Sequence, residues 1–522
     1  MNMGVRRERT VVIGAGMGGL AAAIRLAGQG HDVVVFDKEN APGGKMRHVA
    51  VDGALVDGGP TVFTMKWVFD RLLEGSGQRL KDAVGLKKAD LLARHRWTDG
   101  SSLDLFADIG KSAEAIEAFS DRANADGYRR FCADSETIFA ILKEPFIAGQ
   151  RPTMARFLWR LGPLSIRRHL TLRPFDTMWS ALGDYFSDPR LRQLFARYST
   201  YVGSSPFLTP ATLMLIAHVE QEGVWMVDGG MHALAKGLVR LGEARGVRYR
   251  FGTGVAEILS ENGRVSGVVL DDGERVETRA VVFNGDVSAL GAGLAGEAGR
   301  AVRPRPVPPA KRSLSAIAVA GTMPVADFPL AHHTVFFGPD YPAEFSAIFD
   351  ERRIAAQPTV YICAQDRDPH GTVSDAARQA GRERVLMLVN APADGDTKQY
   401  DHNEIDRCLT LTLEQLDRCG LTLDRASLRT EVTTPAGFAK LFPGSGGAIY
   451  GRATHGWLAS FQRAGARTAL KGLYLAGGSV HPGPGVPMAT LSGLLAADAL
   501  VRDHGSMPAS RPAAISGGMS TG

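Results

Sequence analysis

The chain has 522 residues, a net charge of +5, 44% hydrophobic and 22% charged residues, and 61 glycines. That length exceeds one small core and implies two domains, while mild charge without a recognisable basic motif excludes a nucleic-acid partner. Cys132, Cys363, Cys408 and Cys419 show no C-x-x-C spacing, which argues against zinc and dithiol chemistry and fits a reducing cytoplasm.

Arg6 and Arg7 precede an apolar stretch, Val11 to Ala27, in the manner of an export signal, but a regular glycine pattern interrupts it. No uninterrupted apolar run approaches the ~20 residues of a spanning helix. Arg9 to Ile13 reads instead as a buried strand rich in β-branched residues. It enters Gly14-Ala15-Gly16-Met17-Gly18-Gly19, a G-x-G-x-x-G run, and Leu20 to Gln29 then reads as a helix. A second strand, Asp32 to Phe36, ends at Asp37, 23 residues after Gly14. Each part has a role in gripping a dinucleotide: Gly14 for the turn, Gly16 for backbone approach to a pyrophosphate, Gly19 for helix–strand packing, and Asp37 for a ribose diol. Lys38 and then Ala41-Pro42-Gly43-Gly44-Lys45 follow, and after them Asp57-Gly58-Gly59-Pro60-Thr61. Two further glycine clusters exceed what a nicotinamide site needs. They suit FAD, with Gly44 and Lys45 at the phosphates and Gly59, Pro60 and Thr61 passing a flat ring.

Between Pro145 and Phe175 stand six arginines (151, 156, 160, 167, 168 and 173) and no acid before Asp176. Phe157, Leu158, Trp159, Leu161, Leu164, Ile166 and Leu170 alternate with them. The pattern predicts a helix pair lying in a membrane interface, arginines toward anionic headgroups; a solvated basic face is the plainer alternative. Residues 301–312 are basic and proline-rich and read as a surface connector. His332-His333 has no third ligand at a matching spacing, so no metal site is expected.

Near the end, Gly472 to Ala476 reads as a buried strand running into Gly477-Gly478-Ser479-Val480-His481-Pro482-Gly483-Pro484-Gly485-Val486-Pro487-Met488. A helix from about Met488 to Arg502 follows, with Pro487 in its first turn. A helix start aimed at a flavin stabilises the negative charge that builds there on reduction. Both ends of the chain are thus expected at one cofactor, which makes its domain discontinuous. The tail from Ser506 has a disordered composition.

The residues from Val11 to Ala23, with Pro42-Gly43-Gly44-Lys45, resemble the FAD-binding amine oxidase and phytoene desaturase superfamily. The segment from Leu473 to Pro487 is similar to the signature of bacterial carotenoid desaturases, and Asp57 to Thr61 matches their segment beside the flavin. Trp225 to Met231 resembles the family's glycine pair before a long helix. Val255 to Ile258 resembles the strand that touches adenine, and Val282 to Asp286 a later cofactor-domain strand. Gly446 to Gly451, Ala459 to Arg463 and Tyr361 to Arg367 resemble the 1-hydroxycarotenoid 3,4-desaturases, also called hydroxyneurosporene desaturases. Asp37 stands where Glu is usual, Lys45 where Arg is, and Pro484 where a small residue is.

The resemblance implies an α/β fold: a discontinuous Rossmann-like FAD-binding domain, an α+β substrate domain and a helical membrane-associating region. The expected segments are 1–75, 226–290 and 466–505 for FAD, 76–225 for the helical region, 291–465 for the substrate domain and 506–522 for the tail. It implies FAD held by Gly14, Ala15, Gly16, Gly19, Asp37, Lys38, Gly44, Lys45, Gly59, Pro60, Thr61, Val255, Gly477, Gly478, Val486, Pro487 and Met488. The implied reaction is desaturation of an acyclic carotenoid, at the 3,4 bond of a 1-hydroxycarotenoid such as 1-hydroxyneurosporene. Phytoene desaturation is the alternative; an amine oxidase or a flavin-free prenyl-binding escort protein are more distant ones. Quinone or oxygen is the implied electron acceptor, since no second nicotinamide fingerprint is present. Location is expected to be cytoplasmic, peripheral to the inner or photosynthetic membrane. No acid–base constellation stands out; His481 is the one candidate base, with loop fixing as its alternative role.

Overall fold

The computed structural model describes residues 9–161, 171–300, 302 and 306–505. Leu164, Ile166, Arg167, Arg168 and Leu170 of the basic segment lie outside the described residues, as do most of the proline-rich connector's first residues and the tail from Ser506.

Five parallel strands form the first sheet, in the order Leu473–Leu475, Ala280–Phe283, Arg9–Ile13, Asp32–Phe36, Arg248–Arg250. Val11 pairs with both Val34 and Val281, and Val281 with Leu473, so three distant stretches of chain share one sheet. Most core positions are β-branched or aromatic, with Ala280, Leu473 and Leu475 the exceptions, because both faces are covered. Val12, Val33, Val35 and Val282 pack under the helices Met17–Gly28, Met231–Glu243 and Val486–Gly505. Val11, Val34, Phe36 and Val281 face Ile258, Val265 and Val268 of a three-stranded antiparallel sheet on the other side. The first and last helices cross where a Cβ on Gly493 would overlap the Gly18 carbonyl. Two side chains of zero bulk let the helix starts converge.

The second sheet has seven strands, antiparallel except for one parallel pair between His333–Phe336 and Leu91–Arg96. Leu91–Arg96 and Ser102–Phe106 come from the region expected to be helical; they pair with each other and close this sheet's edge. The strand Ser315–Pro324 shows what the sheet is for. Ile317 and Val319 point to a core shared with Val360, Ile362, Val389 and Leu416. Ala316, Ala318 and Ala320 point the other way, toward the body of the molecule. Period-two alternation of branched and small residues makes one face a packed core and the other a shallow floor.

Helices roof that floor. Arg122–Leu142 runs into a π-helical turn, Lys143–Ile147, at Pro145, which cannot donate the next backbone bond. The turn brings Phe146 against Phe157 and Phe461, with ring centroids 5.8 and 5.1 Å away.

Candidate active site

One cavity of about 1250 Å³ runs between the two sheets. Small-molecule sites usually occupy about 300–1,000 Å³, so this one has room for more than a single ligand. One end is walled by glycine-rich backbone and the other by apolar side chains.

At the glycine end, the first strand hands over at Gly14, whose φ of +95° a side chain would resist. Its N–H donates to the Phe36 carbonyl at 2.7 Å, tying the loop to the second strand. A Cβ on Gly19 would overlap the Gly14 carbonyl, so glycine there sets the strand-to-helix distance. The helix begins at Met17 without a side-chain cap, and its first internal bond runs from Leu20 N–H to Gly16 O at 2.9 Å. Met17 and Gly18 line the cavity, so an uncapped, positively polarised helix start opens onto it. That is a fit for an anionic pyrophosphate.

Asp37 is buried, and its carboxylate accepts the Ala15 N–H at 2.6 Å and the Glu39 N–H at 2.9 Å. Burial pushes its carboxyl up; the two amides and the Lys38 charge work against that. Asp37 thus clamps the glycine loop while still bordering the cavity, with Lys38, Glu39, Gly254 and Val255. Lys38 is half exposed and lies 3.7 Å from the Glu39 carboxylate. Gly43 N–H donates to Ala15 O at 2.9 Å, which lays the second glycine pair along the first. Lys45 crosses the cavity wall and donates to the Ile449 carbonyl at 2.5 Å over the Phe442 ring. Burial holds its ammonium below the usual lysine range; Asp286 counters this and Arg463 adds to it.

Asp57 does a different job from its neighbours. Its carboxylate accepts the N–H groups of Met231 at 2.6 Å and His232 at 3.2 Å, starting the helix that follows Gly229-Gly230. Gln365 brackets its backbone with bonds of 2.9 and 2.8 Å, pinning this segment to the large sheet. Gly59, Pro60 and Thr61 are left along the cavity wall. Gly477, Gly478, Val486, Pro487 and Met488 face them from the C-terminal loop and helix start. Gly14, Gly16, Gly44 and Lys45 line the same wall, whereas Ala15 and Gly19 do not border the cavity and act through backbone geometry.

His481 does not line the cavity. Its Nε2 meets the Gly149 carbonyl at 3.0 Å, its ring stands edge-on to Phe146, and burial pushes it down to about 4. The ring joins the C-terminal loop to the π-helical turn. His332 and His333 gain a neighbour that spacing along the chain did not show: Cys363, with the three ligand atoms within 4.8 Å. Each ring already has a partner, His332 at the Arg367 carbonyl and His333 at the Tyr361 hydroxyl, 2.8 and 2.7 Å away. All four cysteines are buried and free.

Three further residues line the cavity, Asn284, Asp286 and Arg463, in segments that stand out in the sequence although these side chains do not. Asn284 ends the strand beside the first one and donates to Gly14 O at 3.2 Å. Ligands sit outside the carboxyl ends of adjacent parallel strands, so a polar residue there was the available signal. Arg463 donates to the carbonyls of Tyr450, Arg452 and Gly478, tying the loops together. Burial brings its guanidinium down to about 10.

The other end of the cavity is lined by Ala316, Ala318, Leu388, Phe146, Phe157 and Ile216, among others. It reaches the surface at Leu158, Phe175 and Trp457, which are 43, 79 and 43% exposed. Where the two ends meet, a few polar groups intrude. Thr61 Oγ1 and the Tyr361 hydroxyl are 2.6 Å apart. Glu220 accepts from the hydroxyls of Tyr198 and Tyr201 at 2.9 and 2.6 Å, and burial pushes its carboxyl up.

A Rossmann-type sheet opening a glycine-lined, phosphate-ready cavity onto an apolar arm defines an FAD-dependent oxidoreductase. Residues 17–501 match the family described as flavin containing amine oxidoreductase, and the chain belongs to that family. It is 50% identical to a hydroxyneurosporene desaturase of Rubrivivax gelatinosus, over 99% of this chain and 98% of the other. It is 44% identical to a hydroxyneurosporene desaturase of Rhodobacter capsulatus, over 95% of this chain and 98% of that one. Among solved structures, an oxidoreductase from Methanosarcina mazei superposes with a TM-score of 0.56 at 17% identity, covering 93% of this chain and 99% of that one. That likeness carries the fold alone.

Proposed function

We propose that the protein desaturates an acyclic carotenoid, introducing the 3,4 double bond into a 1-hydroxycarotenoid such as 1-hydroxyneurosporene. The observation that carries this is the single cavity, glycine-walled at one end and apolar along the rest. The named relatives supply the substrate class. FAD, when bound, takes the two electrons released as the carbon–carbon bond is unsaturated, and quinone or oxygen is the proposed final acceptor. The chain's own residues do the remainder. Gly14, Gly16, Gly44 and the helix starts at Met17 and Val486 receive the dinucleotide, with Asp37, Lys38, Lys45 and Val255 along its length. Ala15 and Gly19 hold the loop's shape. Gly59, Pro60, Thr61, Gly477, Gly478, Pro487 and Met488 border the ring. The alanine floor and phenylalanine walls align a long polyene and exclude water, which is the protein's main contribution when a cofactor carries the chemistry. His481 is proposed as an anchor between the C-terminal loop and the π-helical turn.

We also propose that the protein sits on a lipid surface. No described helix is long and apolar enough to cross a membrane. Leu158, Phe175 and Trp457 rim the cavity mouth, with Trp159 on the same helix as Leu158 and 73% exposed. A lipid-soluble substrate would enter there. The arginines share this role unevenly. Arg173 is paired with Asp176 and Asp184 at 2.7 Å each, and Arg151 and Arg160 donate to backbone carbonyls.

Expression in cells that accumulate defined acyclic carotenoids, followed by chromatography, tests the reaction. The expected product is the hydroxylated polyene with one more conjugated double bond. Conversion of phytoene with the hydroxylated polyene left untouched would favour phytoene desaturation instead.

A further inference from the structure

Among the described residues, Arg197 is a cavity-lining cation at the junction of the two ends, and the reaction as described gives it no task. It begins the short helical segment Arg197–Val202 and reaches into the cavity between two aromatic rings. Its guanidinium carbon lies 5.6 Å from the Tyr201 ring and 5.3 Å from the Tyr361 ring. It is half-buried and lines the cavity.

A cation in such a place is expensive unless something answers its N–H groups. No carboxylate among the described residues forms a salt bridge with it. The two nearby acids are engaged elsewhere. Glu220 accepts from Tyr198 and Tyr201, and Glu344 accepts from Thr359 and Asn390. They balance the charge at a distance, and the Tyr201 hydroxyl lies within hydrogen-bond reach of the guanidinium, which has five N–H donors and borders the cavity. Arginine offers only donors, so the complementary ligand atom is an oxygen with lone pairs.

Position narrows the ligand further. Tyr361, which stacks beside Arg197, is bonded through its hydroxyl to Thr61, the residue following Gly59-Pro60 on the ring-bordering wall. The donor therefore stands next to the reacting end of the cavity, away from the mouth at Phe175 and Trp457. In a 1-hydroxycarotenoid desaturated at the 3,4 bond, the oxygen-bearing carbon is two bonds from the nearer reacting carbon. Oxygen and reacting bond must lie together, and here the donor and the ring-bordering wall do.

We propose that Arg197 is the specificity-determining residue of this site. Its guanidinium, held between Tyr201 and Tyr361, donates to the oxygen on the substrate's end carbon and selects oxygenated acyclic ends over hydrocarbon ends. The oxygenated end enters first, and the polyene trails along the alanine floor to the mouth. This rests on the 3,4-desaturation reading above.

The test measures kcat/KM of the flavin-loaded enzyme for 1-hydroxyneurosporene and for neurosporene, in wild type, Arg197→Met and Arg197→Lys. The wild type is expected to prefer the hydroxylated substrate. Arg197→Met is expected to lose that preference by about tenfold or more, the loss falling mainly on the hydroxylated substrate, as removal of a charged hydrogen bond predicts. Arg197→Lys keeps a cation but not the planar fork, and is expected to lose about threefold or more. Should Arg197→Met fail to retain flavin, the Arg197→Lys ratio decides. An unchanged ratio in either folded variant, or an equal fall for both substrates, overturns the assignment of Arg197. A wild type that prefers the hydrocarbon overturns the 3,4-desaturation reading and the role of Arg197 with it.

Discussion

His481 illustrates how burial, rather than residue type, decides what a side chain does. A histidine in the loop of a flavin site invites a proton-transfer role, yet its ring is packed on Phe146 with Nε2 against Gly149 O. Its neutral form is favoured, with the ring pushed down to about 4 from an ordinary value near 6.5. The folded state resists protonation while the unfolded chain accepts it, so the stability this residue adds is present above pH ~6.5 and is lost as pH falls toward 4. His481→Gln should cost roughly 1–3 kcal/mol at pH 7.5, from the lost hydrogen bond and packing. The melting-temperature gap between wild type and variant should narrow as pH drops from 7.5 to 4.5. A gap that widens would contradict a buried neutral imidazole. Asn284 and Arg463 teach the complementary lesson. Each sits in a segment the sequence singles out, yet its role could not be read there, because that role comes from neighbouring strand ends and loops that meet only on folding.

At the scale of elements, the sequence was readable where one stretch carries a whole device. The strand Arg9–Ile13, the glycine turn, the helix and the strand Asp32–Phe36 form within one run of chain, so β-branched runs, glycines and an acid at the right distance suffice. The helix starts at Met17, earlier than the apolar run from Leu20 suggests, because Gly18 and Gly19 are needed small by what packs on them. The strand Leu91–Arg96 was not readable, since its partner His333–Phe336 lies far along the chain and His95, Arg94 and Arg96 blur the alternation, and Ser102–Phe106 pairs with that strand alone. The amphipathic segment was half readable. Met154–Leu161 is a helix with Phe157 buried and Trp159 exposed, but its arginines serve the protein as much as any lipid. On the proposed lipid-facing surface, apolar anchoring would then outweigh charge. Trp159→Ser with Phe175→Ser should reduce sedimentation with anionic liposomes severalfold at low salt, and a residual salt-sensitive component should remain. Unchanged binding by the double variant would place the lipid-facing surface elsewhere.

Over the whole molecule, the two sheets divide the labour. The parallel sheet gathers its strands from three parts of the chain, and their carboxyl ends meet at the glycine-walled end of the cavity. The antiparallel sheet turns its alanines to the same cavity and its branched residues to a separate core. Ala318 sits on that floor, so a large side chain there should fill the polyene arm while leaving the dinucleotide end intact. The most direct measurement is anaerobic mixing of purified, flavin-loaded protein with 1-hydroxyneurosporene, following flavin absorbance and carotenoid product together. Wild type should bleach in step with one new double bond per flavin, and Ala318→Phe should keep its flavin yet bleach at least about tenfold more slowly. Bleaching by Ala318→Phe at the wild-type rate, or a wild-type flavin that stays oxidised in the presence of the carotenoid, would contradict a single cavity serving both ligands.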